Sequence, residues 1–181
     1  MSINKAVFLD RDGVLIEDKG YQKDTKEIVF LPGVVDSIRL LNLHRYLVVV
    51  VTNQAGVAKG YVTEKEVKNF NICIKSFLSK QSAFIERFYY CPHHPSGTVK
   101  KYTKTCYCRK PNPGMLGTAA MDLKIDLRNS YMIGDQIWDI EAGKTAYCKT
   151  VLITDKDSNS GVEPNYIARN LYKAVQWIVR R

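Results

Sequence analysis

The chain is predicted to fold as an α/β protein, a Rossmann-like three-layer sandwich around a mostly parallel sheet. Two observations carry that expectation. Short apolar runs of strand length recur along the 181 residues, and segments with apolar residues at helical spacing lie between them. A third observation concerns function: the apolar runs end in acidic or polar residues, and the carboxyl ends of strands are where open α/β sheets build their sites.

Each element has its own signal. Ala6–Leu9 is an apolar run that leads directly into Asp10. Pro32-Gly33 marks a turn, after which Val34, Val35, Ile38 and Leu41 recur at helical spacing over 34–44. Tyr46–Val51 is continuous and β-branched, the pattern of a strand buried on both faces. Thr63-Glu64-Lys65-Glu66 reads as a capping box, and Val67, Phe70, Ile74, Phe77 and Leu78 continue that helix to Lys80. Phe84–Tyr90 is the third strand. Pro113–Met121 is a helix with proline near its start. Ser130–Ile133 is a strand, Gln136–Ala146 a helix, Val151–Ile153 a strand and Leu171–Arg180 a terminal helix. No repeat, low-complexity tract or linker interrupts the pattern, so 1–181 is expected to form a single domain. The exception is 91–108 and its flank, rich in Cys, His, Pro, Lys and Tyr without a period of 2 or 3.6. A loop of that length in a compact domain is functional or held by something.

Composition narrows the class. Hydrophobic content of 45% and charged content of 25% place the chain among globular proteins with a real core. The longest dense apolar run, Tyr46–Val51, is too short to span a membrane. Met1–Lys5 runs into the first strand without a basic and apolar leader, so a cytoplasmic location and no membrane partner are expected. Net charge of +9 favours an anionic partner, and phosphate esters, nucleic acids and anionic membranes all qualify. The basic residues are scattered, with small clusters at Lys100-Lys101, Arg109-Lys110 and Arg180-Arg181, which reads as solvated surface rather than a nucleic-acid stripe. Five cysteines, an odd count, argue against a disulfide framework. Cys73 and Cys148 stand alone in apolar surroundings and are expected to fill core. Trp138 and Trp177 are expected to serve packing.

Four motifs carry chemistry. In Phe8-Leu9-Asp10-Arg11-Asp12-Gly13, Asp10 sits at a strand end as nucleophile or metal ligand, and Asp12 on the departing turn can carry a proton. In Val51-Thr52-Asn53-Gln54, the Thr52 hydroxyl and the Asn53 amide and backbone N–H suit a phosphate oxygen. In Arg109-Lys110-Pro111, two adjacent cations can clamp an anion, Arg as a fork and Lys as a point charge. In Met132-Ile133-Gly134-Asp135, with Asp139 one helical turn on, a carboxylate beside a glycine suits a hard cation. Singly, each is also a polar turn or a surface charge; four in this order, each at a strand end or helix entry, point to one site. Cys91, His93, Cys106 and Cys108 offer three thiols and an imidazole, which suit a closed tetrahedral zinc site. Free surface thiols are the alternative, and His94 could stand in for His93.

Together these motifs resemble the haloacid dehalogenase superfamily of phosphotransferases. Within it they are similar to one branch, the bacterial D-glycero-D-manno-heptose 1,7-bisphosphate 7-phosphatases and the related histidinol-phosphatases. The marks are Phe8–Gly13, Val51-Thr52-Asn53-Gln54-Ala55-Gly56, Tyr90-Cys91-Pro92-His93-His94-Pro95, Cys108-Arg109-Lys110-Pro111 and Pro113-Gly114-Met115-Leu116, and the likeness runs from Lys5 to Ile153. The resemblance implies an enzyme in which Asp10 attacks phosphorus to form an aspartyl phosphate. Asp12 then protonates the leaving oxygen and later activates water. It implies Mg2+ between Asp10, the backbone carbonyl of Asp12, and Asp135. Lys110 offsets charge, and Thr52 and Asn53 donate to the phosphate oxygens. It implies a structural zinc on Cys91, His93, Cys106 and Cys108. Asp18, Lys19, Gly20, Tyr21, Asn53, Gln54, Ala55, Arg109 and Gln136 are implied to touch substrate, with Arg109 suited to a distal phosphate. That substrate would be a small phosphorylated sugar, the heptose bisphosphate losing its 7-phosphate in lipopolysaccharide core synthesis, and the chain would act as a monomer. Histidinol phosphate and nucleic-acid ends are the rival substrates. A zinc-stabilised binding module with a dead site is the non-enzyme alternative, but it would have lost Asp10, Asp12, Lys110 or Asp135, and all four are present.

The spacings from Asp12 to Thr52 and from Thr52 to Lys110 leave no room for a separate cap domain. Val14 and Ile16 stand where many heptose phosphatases have Thr and Asn, and Gln136 where that branch often has Lys. These three positions are expected to face or border the substrate.

Overall fold

A computed structural model describes residues 3–155 and 162–181. Met1 and Ser2, which open the segment read above as leaderless, lie outside the described residues. Six strands form one sheet: β1 (Ala6–Leu9), β2 (Leu47–Asn53), β3 (Arg87–Cys91), β4 (Tyr131–Gly134), β5 (Lys149–Ile153) and β6 (Tyr166–Ala168). Their order is β3-β2-β1-β4-β5-β6, and every neighbouring pair is parallel. The helices are α1 (Val34–Leu43), α2 (Ala55–Ala58), α3 (Glu64–Lys80), α4 (Gly114–Leu123), α5 (Ile137–Thr145) and α6 (Leu171–Val179).

The two-residue alternation of the strands produces the three layers. On β1, Val7 and Leu9 face α1, α3 and α6 through Ile38, Leu41, Phe70, Ile74, Val175 and Ile178. Ala6 and Phe8 face the other way, onto Met115, Leu116 and Ala119 of α4 and Ala142 of α5. A strand covered on both faces must be apolar at every position, which is why β1 reads as an unbroken run. The capping box that opens α3 is present: Thr63 Oγ1 accepts from the Glu66 N–H at 3.2 Å, and Glu66 accepts from the Thr63 N–H at 2.7 Å.

Several sequence expectations change. β3 begins at Arg87 rather than Phe84, because the Phe84 N–H donates to the Asn42 side chain at 2.8 Å and its ring is exposed. β6 is a three-residue edge strand that the apolar pattern did not mark. Cys148 fills core as expected, but Cys73 is exposed, since α3 buries Phe70, Asn71 and Ile74 and turns position 73 outward. Trp177 packs as expected, stacked on Tyr166 and edge-on to Tyr131.

The stretch between Asp12 and α1 holds a single 3-10 turn, Thr25–Glu27, and 92–113 between β3 and α4 holds no helix or strand, so neither insertion forms a cap domain. Among the described residues no helix is long and apolar enough to cross a membrane. The strand order reverses between β1 and β4, and Asp10, Asn53 and Asp135 sit at the carboxyl ends of β1, β2 and β4 around that switch point.

Candidate active site

Asp10 follows β1 directly, and its N–H donates to the Ile133 carbonyl of β4 at 3.0 Å, which fixes it over the switch point. Its Oδ1 accepts from the Arg11 N–H at 2.7 Å and lies 3.0 Å from Lys110 Nζ. Lys110 is fully buried beneath it. The ammonium also meets Asp139 Oδ1 at 2.6 Å and donates to the Val51 carbonyl at 2.8 Å, so its three protons have three partners. Burial alone would pull the Lys110 pKa down, but Asp10 and Asp139 outweigh it and the pKa is raised. Burial pushes the Asp10 carboxyl up to about 7 against the pull of Lys110, with Asp139 and Asp12 adding to the rise. Asp139 is likewise pushed up by burial against Lys110.

The same pocket meets the test for a divalent cation. Oxygens of Asp10, Asp135 and Asp139 lie within 4.8 Å of one another. Three carboxylates against one ammonium leave two negative charges when all are ionised. Asp139 is committed to Lys110 and to the Gln136 N–H, 3.1 Å from its Oδ2. Asp135 is half committed: Oδ2 accepts from Gln136 Nε2 at 2.8 Å, while Oδ1 is buried with no hydrogen-bond partner among the described residues. Burial first, then the charge of Asp10, lifts the Asp135 carboxyl to about 6 although the Gln136 amide opposes it. A buried pair of carboxylates with raised pKa values and an unpartnered oxygen is what a hard cation satisfies. Two glycines make room. Gly13 has φ +79°, and a Cβ there would collide with the Asp135 carboxylate; a Cβ on Gly134 would collide with Asp139.

Asp12 faces the other side of the turn. Its carboxylate accepts from the Arg11 guanidinium, from Gln54 Nε2 at 3.0 Å and from Thr52 Oγ1 at 3.5 Å, and Gln54 also donates to Thr52 at 2.9 Å. Above these groups opens a cavity of about 430 Å3 lined by Asp10, Asp12, Asp18, Gly20, Tyr21, Thr52, Asn53, Gln54, Ala55, Arg109, Asp135 and Gln136, together with Gly56 and Trp138. Most residues singled out in the sequence therefore converge. Lys19 is the outlier, turned to an ion pair with Glu17 at 3.2 Å. The Asn53 side chain is spent on backbone: Oδ1 accepts from the Lys110 N–H at 3.1 Å and Nδ2 donates to the Lys110 carbonyl at 3.0 Å. It positions the lysine from the cavity wall, of which Asn53 is part. Val14 and Ile16, expected to border substrate, are wholly buried in the core, so of the three departures only Gln136 borders the cavity. Trp138, expected to pack, is 41% exposed on the cavity wall.

Beside the cavity lies the sulfur cluster. Cys91 Sγ is 3.4 Å from Cys106 Sγ and 3.2 Å from Cys108 Sγ, and the Cys106–Cys108 separation is 3.3 Å. His93 Nδ1 is 3.7 Å from Cys91 and 3.5 Å from Cys108. His94 looks elsewhere, accepting from the Ser96 N–H at 3.1 Å. Thiol partners dominate both shifts: the neighbouring sulfurs hold the Cys108 thiol down to about 5 while the Cys91 thiol is pushed up. Zinc–sulfur bonds of about 2.3 Å place tetrahedral sulfurs a little under 4 Å apart, so the donor set fits that ion and the three sulfurs would move apart slightly to bind it. The cluster reaches the cavity through Arg109, which follows Cys108 and donates from Nη1 to the His93 carbonyl at 3.2 Å.

Sequence reasoning passed over two residues that the structure makes prominent. Asp139 was noted but given no role, yet it completes the ion pairs of Lys110. Arg11 stands between the two acids of the first motif, which by itself assigns it no role. The signal for it was available: a cation inside an otherwise buried strand end has to find a partner.

The model of the HAD-hyrolase-like family matches residues 107–174. A curated D-glycero-beta-D-manno-heptose-1,7-bisphosphate 7-phosphatase from Salmonella typhi is 40% identical over 148 residues, covering 82% of this chain and 79% of the relative. The protein of that name from Haemophilus influenzae is 42% identical over 147 residues, covering 81% of this chain and 79% of its own. The crystal structure of D,D-heptose 1,7-bisphosphate phosphatase from B. bronchiseptica, complexed with magnesium and phosphate, superposes with a TM-score of 0.83 at 26% identity, covering 97% of this chain and 98% of that one.

Proposed function

The chain belongs to the haloacid dehalogenase-like phosphatases, in their heptose bisphosphate branch, and from that premise we propose that it removes the 7-phosphate of D-glycero-β-D-manno-heptose 1,7-bisphosphate through an aspartyl phosphate on Asp10. The observation that carries the mechanism is the placement of Asp10 beside buried Lys110 and beside Asp135, whose Oδ1 lacks a partner.

An Asp10 oxygen bonds to phosphorus as the bond from phosphorus to the sugar oxygen breaks. That sugar oxygen takes its proton from Asp12. Water then attacks the aspartyl phosphate, Asp12 takes the water proton, and the bond from phosphorus to Asp10 breaks to release phosphate. Lys110 pulls Asp10 toward its ionised form against the effect of burial and fixes it in place. Asp10, Asp135 and the backbone carbonyl of Asp12 would hold Mg2+, which would supply positive charge against the repulsion between a carboxylate nucleophile and a phosphate dianion. Thr52 donates to the phosphate oxygens, and Arg109, a fork on the cavity wall, grips a distal phosphate. Cys91, His93, Cys106 and Cys108 would hold a zinc ion that fixes the loop whose His93 carbonyl receives that arginine. The cation reading is supported by a relative's structure that contains magnesium and phosphate, and the sugar reading by the relatives' names. We place the enzyme in the cytoplasm, as a monomer whose 1–181 form one domain.

The test is a phosphate-release screen over sugar bisphosphates, histidinol phosphate and 3′-phosphorylated oligonucleotides, with and without Mg2+. Preference for the heptose bisphosphate, lost on Arg109→Ala, is the expected result. Preference for histidinol phosphate or for oligonucleotide ends overturns the substrate assignment.

A further inference from the structure

Arg11 is 1% exposed and is the bulkiest of the wholly buried side chains. A buried guanidinium is costly unless its donors are satisfied. Here Nε lies 3.1 and 3.2 Å from the two Asp12 oxygens, and Nη2 lies 3.0 Å from Oδ1. Nη1 donates to Asn71 Oδ1 of α3 at 3.0 Å, and the guanidinium lies 4.8 Å from the Phe70 ring centroid. Neighbouring residues in an extended chain point apart, so this pairing needs the bend that the chain makes at Arg11, directly after β1. Phe70 and Ile74 are fully buried in the core beneath the sheet, so α3 is a fixed support.

The arrangement has a direction. On one side Arg11 is tied to a helix, and on the other it forks onto Asp12. Gln54 and Thr52 fill the remaining approaches to that carboxylate. Arg11 is buried below the cavity and is not part of its lining; only its backbone N–H meets Asp10, at 2.7 Å, a bond that any side chain at this position keeps. It therefore acts through Asp12.

We propose that Arg11 is a positioning residue, carrying the rigidity of α3 through Asn71 to Asp12 and setting the line along which Asp12 gives a proton to the leaving oxygen and takes one from water. This rests on the reading of Asp12 as the acid and base. Lysine keeps the charge but loses the planar fork. Small misplacements of a reacting group are expensive, so Arg11→Lys should lower kcat for an alkyl phosphate about 100-fold while KM moves less than about threefold. An alkoxide needs that proton; p-nitrophenolate is a stable anion and does not. The burst of p-nitrophenolate from p-nitrophenyl phosphate should therefore change less than about threefold. Asn71→Ala, which removes the support and leaves the fork, should show the same pattern more weakly. Asp12→Asn is the reference, expected to lose about 10²–10⁴-fold on the alkyl phosphate and to keep the burst. Equal losses on both substrates in Arg11→Lys and Asn71→Ala, with discrimination retained in Asp12→Asn, would overturn the role of Arg11 alone. No discrimination in Asp12→Asn would overturn the acid and base assignment, and the proposal with it.

Discussion

Replacing Lys110 by methionine strands two buried carboxylates. In the folded protein Lys110 lies 3.0 Å from Asp10 and 2.6 Å from Asp139, and neither it nor Asp139 has meaningful solvent exposure. Removing one partner of a buried pair costs about 3–5 kcal/mol, because the charge left behind can recover neither water nor a counter-ion. A domain has about 5–15 kcal/mol in all, so the loss is a large share of the total. At about 2–4 °C per kcal/mol for this chain length, the melting temperature should fall by about 6–20 °C. Protonation offers a partial escape. Burial raises the Asp10 and Asp139 pKa values above the ordinary 3.8, so their ionisation opposes folding once the pH exceeds that value. The penalty builds as pH rises, and Lys110→Met should lie closer to wild type at pH 5 than at pH 8. Adding Asp139→Asn removes one stranded charge and should return at least about 1 kcal/mol. Urea unfolding at the two pH values reads the loss, its pH dependence and the recovery, and a thermal melt reads the shift in melting temperature. A Lys110→Met variant within about 1 kcal/mol of wild type at pH 8 would refute the reasoning, since buried unpaired charge would then cost little.

Other perturbations reach the same architecture from different sides. Gly13→Ala should cost about 1–3 kcal/mol for a left-handed backbone carrying a side chain, and should weaken Mg2+ binding in calorimetry because the added methyl meets Asp135. Tyr90 and Tyr102 each donate to Glu64 at 2.6 Å and hold its carboxyl below the usual range, so its stabilising effect is present above about pH 4.5 and lost as pH falls through the lowered value. Glu64→Gln should therefore destabilise at pH 7 by about 1–2 kcal/mol and converge with wild type in acid, as thermal melts across pH would report. Chelating zinc should expose 91–108 to protease and raise KM before circular dichroism reports loss of the sheet; full affinity in the stripped protein would remove the zinc from substrate binding.

The legible and illegible parts of this protein divide along physical lines. β1 and β2 could be read because strands buried on both faces tolerate little but apolar residues. The positions of Asp10, Thr52 and Asp135 followed, because the site of a parallel sheet lies where its strands end. Lys110 could be named but not its depth, since two carboxylates distant in sequence decide whether a lysine can be buried. The tie from Asn53 to the Lys110 backbone was illegible for a related reason. An amide beside a phosphate site has two credible uses, and only the approach of the Lys110 backbone selects one. Val14 and Ile16 sit one turn from the acids, yet the turn at Gly13 sends them inward. β6 escaped because a three-residue edge strand has too few positions to show a period.

The central claim is a phosphoryl group carried by Asp10. It is tested most directly by acid-quenching Asp12→Asn protein during turnover of p-nitrophenyl phosphate, whose leaving group needs no proton, with Mg2+ and mapping the phosphorylated peptide by mass spectrometry. Slowed hydrolysis in that variant should let the intermediate accumulate, with the added phosphoryl group on Asp10 and none in Asp10→Asn protein, which should remain folded and show no turnover. Phosphate release at wild-type rate from Asp10→Asn, or a phosphoryl group on another residue, would contradict the account.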